Sequence, residues 1–285
     1  MEGGKPEFSC DMVIAMYKEP LTWLKNYEKP EYNFRNLFLY NKYQESNNKT
    51  SLQLACVMNG KECVKQNLPN EGRCDHTYLY HIIHHYDTLA DVTIFTKGSS
   101  DLQRERAKLQ FITKKVFETK NTVFSVDRLA TYINVSMHDF KMDYYTSSHA
   151  QNRNSGVMNI FKSKMHPAEP RPFGKWFDKY FPGVKVLDVS YAAVMAVSRA
   201  HIHQHPKSYY EGFIKQLEGH PNPEVGHYFE RAWLALFNPI PENCIYVDGG
   251  FTQHGGKRGR RRKTHRQYRP RKTRRLRQHT GLKRG

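Results

Sequence analysis

The chain has 285 residues, of which 38% are hydrophobic and 13% aromatic, and a formal net charge of +18. It is long enough to bury one sizeable core and holds no apolar run near the ~18 residues of a membrane helix, so it reads as a soluble globular protein. The charge is concentrated: residues 257–285 hold 15 Lys or Arg and no acid, which leaves 30 basic against 27 acidic residues in 1–256, a balance of +3. A nearly neutral body is thus distinguished from a polycationic tail.

The opening, MEGGKPEFSCDMVIAMY, has an acid and a proline ahead of a short apolar run and lacks the basic start and longer apolar core of a signal peptide, which predicts a protein kept inside the cell and not secreted. Met12 to Met16 predicts a buried strand, and Leu21 to Leu24 the start of a helix. A second strand is expected over Asn36 to Tyr40, then a polar loop over 41–61 with a short strand at Leu52 to Val57. In LPNEGRCDHTYLYHIIHHYD, residues Tyr78, Leu79, Ile82, Ile83, Tyr86 and Leu89 share one helical face and predict a half-buried helix from about Asp75 to His85. Asp91 to Phe95 then reads as a strand. This alternation of strand and helix predicts an α/β fold with parallel strand pairs.

Leu102 to Thr119 has the pattern of a basic amphipathic helix, and 120–170 reads as irregular. Lys175 to Phe181 predicts a short helix, and Val184 to Val197 two strands, the second centred on 192–197. A helical run from Ser198 is broken by Pro206 and resumes over Ser208 to Leu217, and His227 to Phe237 predicts a final helix. The composition then shifts abruptly, which divides the chain into an α/β domain over 1–250 and a Lys/Arg-rich tail over 251–285.

Four groups of residues carry chemistry. His81 and His85, four apart, are metal-ligand types, but there is no H-E-x-x-H, and residues of an amphipathic helix surface are the simpler reading. The same holds for His201, His203 and His205. The cysteines at 10, 56, 63, 74 and 244 are odd in number and form no C-x-x-C pair, which predicts reduced thiols; a zinc site from Cys56, Cys63, Cys74 and His76 has the ligands without a recognised spacing. The turn Asn70-Glu71-Gly72-Arg73 offers backbone N–H groups, a helix start and a guanidinium together, a seat for a diphosphate, although Pro-Asn-x-Gly is also an ordinary turn. Glu230 lies on a helix otherwise built of aromatics and Leu, where a carboxylate can act as general base or form a surface ion pair.

The blocks VIAMYKEPLTWL, LYNK at 39–42, LPNEGRCDHTYLYHIIHHYDTLADVTIF, AVSRAHIHQHPKSYYEGF and ERAWLALF, in this order over about 11–238, resemble the family called domain of unknown function 3431. That family is similar to nucleotide-sugar-dependent glycosyltransferases with a single Rossmann-like (glycosyltransferase-A-like) α/β domain. The resemblance implies a nucleotide-sugar donor pocket formed by Tyr17, Lys18 and Glu19 after the first strand and by Asn70, Gly72 and Arg73 in the turn. It also implies Glu230 as the base for the acceptor hydroxyl. In place of the family's usual acid after Gly-Arg stands Cys74, followed by Asp75, and Lys97-Gly98 stands in place of Gln-Gly. No D-x-D follows the Asp91 to Phe95 strand to hold a divalent metal, so Lys97 and Arg73 are the candidates to replace one, or transfer activity has been lost.

The tail has almost no apolar residues to bury and is expected to be disordered alone. Arg260, Arg261, Arg262, Lys263, Arg271, Lys272, Arg274 and Arg275 are its densest positive charges and candidate contacts for DNA or RNA; a nuclear-import signal is the alternative. The tail resembles the Gly-Gly-Lys-Arg tails on proteins of large DNA viruses, which implies the host cytoplasm or nucleus, or the virion, as its location. A catalytically inactive virion or nucleic-acid-associated protein is the rival to a glycosyltransferase.

Overall fold

A computed structural model describes residues 7–43, 56–128, 137–143, 165–185 and 188–247. The predicted boundary near 250 and every tail residue lie outside these described residues.

The centre is a five-stranded mixed sheet in the order β5-β2-β1-β6-β9. Its strands are β1 (Cys10–Met16), β2 (Asn36–Asn41), β5 (Val64–Asn67), β6 (Val92–Lys97) and β9 (Met195–Ser198). β1 runs parallel to both β2 and β6, β2 runs parallel to β5, and β9 closes the other side antiparallel to β6. Every residue of β1 is buried, as a parallel strand covered on both faces requires. The edge strand β5, with the sequence VKQN, is exposed throughout.

Alternation along the strands divides the core in two. Val13, Ala15, Phe38, Tyr40 and Phe95 point to one layer. There they meet the helices α1 (Arg73–His84), α3 (Phe173–Tyr180), α5 (Lys207–Ile214) and α6 (Glu224–Leu236) in a core rich in Trp, Tyr and Phe. Met12, Ile14, Leu37, Leu39 and Ile94 point to the other layer, where α2 (Gln103–Thr119) and a 3-10 turn at Thr22–Tyr27 pack. The short helix α4 (Arg199–Ile202) follows β9.

Several sequence expectations change. The helix expected from Leu21 is the 3-10 turn, because the segment is only six residues long between loops. The strand expected over Leu52 to Val57 is seen only from Val57, as β3 (Val57–Met58) in a hairpin with β4 (Lys61–Glu62), and 51–55 lie outside the described residues. The region read as irregular contributes β7 (Phe124–Arg128), which joins β8 (Asp188–Val189) and β10 (Ile245–Val247) in a second sheet. The thiol expectation is also corrected: Cys56 and Cys63 form a disulfide with 5.5 Å between their α-carbons, while Cys10, Cys74 and Cys244 are free. The hairpin between the two cysteines turns the chain back on itself, which a seven-residue separation conceals in the sequence.

Candidate functional site

From β1 the chain moves outward to β2 and β5 on one side and then crosses back to β6 on the other. In open α/β sheets the carboxyl ends of the strands at such a reversal are splayed apart and leave a crevice. Three strand ends border it here: Lys42 N–H donates to Met16 O at 2.8 Å and Gly98 N–H to Ala15 O at 2.8 Å, so the residues after β2 and β6 flank those after β1.

The loop after β1 is braced by Glu19, whose Oε2 accepts from the backbone N–H of Tyr17 at 2.7 Å and of Lys18 at 3.1 Å. Glu19 therefore shapes the loop. The half-buried Tyr17 sets its ring edge-on to Tyr43 at 5.4 Å, and the Lys18 ammonium lies 3.9 Å over that second ring. Lys97, at the end of β6, pairs with the buried Glu105 at 3.3 Å.

The turn before α1 is where the sequence reading needs the largest physical revision. Gly72 has a φ of +55° and is buried against Leu217, and its N–H donates to His220 O at 2.8 Å. Arg73 N–H donates to Pro221 O at 3.3 Å. These two backbone donors are occupied by protein, so they do not form the expected diphosphate seat. Asn70 is half-buried in the same loop, and the Arg73 side chain reaches from the turn to His227 and Glu230.

Arg73 and Glu230 meet: Nη2 donates to Glu230 Oε1 at 3.2 Å, with the two side chains 23% and 18% exposed. Arg73 Nη1 also lies 2.8 Å from His227 Nδ1, and His227 Nε2 lies 3.2 Å from Asn222 Oδ1. Burial, with the Arg73 and Arg231 charges, holds His227 well below the usual imidazole range. A neutral ring that accepts from Arg73 and donates to Asn222 satisfies this network.

Two buried groups complete the cluster, and both were missed as site residues by the sequence reading. Lys42 is 4% exposed and donates to the carbonyls of Glu71 and Arg73, so its ammonium ties the turn to the end of β2. Desolvation lowers its pKa to about 8. Asp75 is fully buried with Oδ1 lacking a hydrogen-bond partner, and burial raises its carboxyl to about 7 against the opposing pull of Arg73. Helix α6 approaches so closely that a β-carbon on Gly226 would lie 3.3 Å from Arg73 Cδ and 3.4 Å from Asp75 Oδ2. The half-buried Cys74 is pushed up to about 12 by burial, with Asp75 raising it and Arg73 and Lys97 opposing, so its thiol is protonated at neutral pH. The signal for Lys42 was its place: it directly follows a buried strand, as Lys97 ends another.

The histidines take structural places. His81 Nδ1 lies 2.9 Å from the Tyr40 hydroxyl and its ring stacks on His85 at 4.5 Å. His201 bonds Thr122 and Ser198, His203 stacks on Tyr86, and His205 on Tyr209. Among the described residues no three His, Cys, Asp or Glu side chains are grouped to hold a metal, and no helix is long and apolar enough to cross a membrane. Cys56 and Cys63, joined to each other, are not available to the zinc set considered from the sequence.

Residues 12–249 match the family described as Protein of unknown function (DUF3431). No curated protein matches the chain.

Proposed function

The chain belongs to the DUF3431 family, and on that premise we propose that it is a nucleotide-sugar-dependent glycosyltransferase with a Rossmann-like, glycosyltransferase-A-like domain. The observation that supports this reading is the Arg73–Glu230 pair at 3.2 Å, in a turn that Lys42 ties to the end of β2. A leaving nucleoside diphosphate needs fixed positive charge, and an acceptor hydroxyl needs a base within reach. In the proposed reaction the acceptor oxygen bonds to the sugar's anomeric carbon as the bond from that carbon to the diphosphate oxygen breaks. Glu230 takes the hydroxyl proton, and Arg73, with Lys97, offsets the charge on the departing diphosphate. Before substrate arrives, the same ion pair holds both groups in place.

The test is calorimetric titration of nucleoside diphosphates and nucleotide sugars, with and without manganese. Arg73→Ala should weaken diphosphate binding by about 10- to 150-fold, the worth of one charge-assisted contact of ~1.5–3 kcal/mol. Glu230→Gln should retain binding and lose transfer. Absence of saturable binding, or binding indifferent to Arg73→Ala, would overturn the reading.

A second reading, an inactive protein that binds DNA or RNA through residues 257–285, is favoured by 15 basic residues without an acid. Its signature is a steep salt dependence, with a slope of ~0.9 per duplex phosphate neutralised, that flattens when Arg260, Arg261, Arg262, Arg271, Arg274 and Arg275 are changed to Gln.

A further inference from the structure

A concavity lies against α1. It is a groove of about 550 Å³ between α1, α5 and the loop that follows α5. That volume falls within the ~300–1,000 Å³ of small-molecule sites. One wall is a row of rings spaced four residues apart on α1. His76 and Tyr80 are inclined at 24° with centroids 6.4 Å apart, and Tyr80 and His84 at 20° and 3.8 Å. Glu211 and Ile214 of α5, Lys215 and Glu218 just after it, Ile83 of α1 and Glu71 before it complete the lining.

The polar atoms in the groove are of mixed kind. His76 is 4% exposed with Nδ1 lacking a hydrogen-bond partner, although it lines the cavity. Burial lowers its pKa to about 4, so at neutral pH the ring holds one donor and one acceptor nitrogen. The Tyr80 oxygen accepts from Gln66 Nε2 at 2.6 Å, which leaves its own proton to donate. The three carboxylates accept only, and Lys215 donates only.

We propose that this groove binds a neutral polyhydroxyl ligand, a short oligosaccharide. Hydroxyl groups both donate and accept, so they satisfy the carboxylates, the Lys215 ammonium and the Tyr80 proton together. A cationic ligand has donors alone and offers no acceptor to the Tyr80 proton. The C–H faces of a sugar ring suit Ile83, Ile214 and the aromatic wall. Binding here does not depend on transfer at Arg73 and Glu230, so the inference goes beyond the transferase reading.

The experiment titrates maltotriose, mannotriose and tri-N-acetylchitotriose, with spermidine as the cationic probe, into the full chain, followed by calorimetry and ligand-observed NMR. Saturable binding of at least one trisaccharide is expected, weakened about five- to tenfold by Tyr80→Phe and again by Glu211→Gln, as loss of single hydrogen bonds dictates. Both positions are only partly buried, and a melting curve for each variant confirms that it folds. Tyr80→Phe should leave the nucleoside diphosphate titration unchanged, which keeps failure here distinct from failure of the transferase reading. The proposal is overturned if no trisaccharide saturates, if binding survives both substitutions, or if spermidine binds in a Glu211-sensitive manner while the sugars do not.

Discussion

Gly72→Ala probes the turn that delivers Arg73. The residue has a φ of +55°, and an added β-carbon would lie 2.6 Å from Leu217 Cβ, 2.7 Å from Leu217 O and 2.8 Å from His76 Cβ. The left-handed conformation alone costs an L-residue about 1–2 kcal/mol. Forcing a methyl against a backbone oxygen and two buried side chains adds about 1–3 kcal/mol. Gly219 is the internal control, since its φ is +79° but a β-carbon there has nothing within 4 Å. Gly219→Ala should therefore cost about 1–2 kcal/mol and Gly72→Ala about 2–5 kcal/mol. For a domain of this size 1 kcal/mol moves the melting temperature about 2–4 °C, so the variants should melt roughly 2–8 °C and 4–20 °C below wild type. Differential scanning calorimetry on the full chain measures both. If the two melt together, the close approach of Gly72 to Leu217 is not what holds the turn, and the account of how Arg73 is positioned is wrong.

Asp75 gives a pH signature. Because its folded pKa is raised to about 7, its stability contribution is complete below the unfolded value near 4 and is lost as pH rises through 7. Asp75→Asn should accordingly destabilise by about 2–3 kcal/mol more at pH 5 than at pH 8, read from urea midpoints at the two pH values. His76 has the opposite sign: its folded pKa near 4 means stability is lost as pH falls from about 6.5 to 4, and His76→Gln should flatten that part of the acid profile. The Cys56–Cys63 link closes a short loop, and Cys63→Ser should cost about 2.5 kcal/mol by loop entropy. Thiol labelling in denaturant should count three reactive cysteines before reduction and five after; five before reduction would refute the link.

The central strands and α1 were legible because burial on both faces, or along one helical stripe, leaves apolar runs that periodicity detects. The second sheet was not, since β8 and β10 are two and three residues long, and β7 carries the mixed sequence FSVDR, whose partners lie 60 or more residues away. At the site, Arg73 and Glu230 were singled out separately, and that they touch across 157 positions is a tertiary fact. Gly72 was read as an open amide donor because a sequence does not display which carbonyl will occupy an N–H; here it is His220 O. Asp75 looked like an ordinary first-turn acid, and only the fold buries it.

This end of the sheet gathers buried ionisable groups from several elements. Lys42 and Asp75 are 4% and 0% exposed, and His227 is 5% exposed against the Arg73–Glu230 pair. Well-packed apolar residues would commonly serve stability as well or better, since desolvating an ion costs several kcal/mol that pairing only partly returns. Stability therefore gives little reason to keep this set. Lys42 and Lys97 lie at the carboxyl ends of two strands that flank β1, the guanidinium of Arg73 comes from α1 and the acid Glu230 from α6, and Cys74 feels the charges of Arg73, Lys97 and Glu230 together. Local rules are broken at the carboxyl ends of the strands on either side of the sheet's reversal, and that coincidence is the reason to test Arg73 and Glu230 before any other residues of the body.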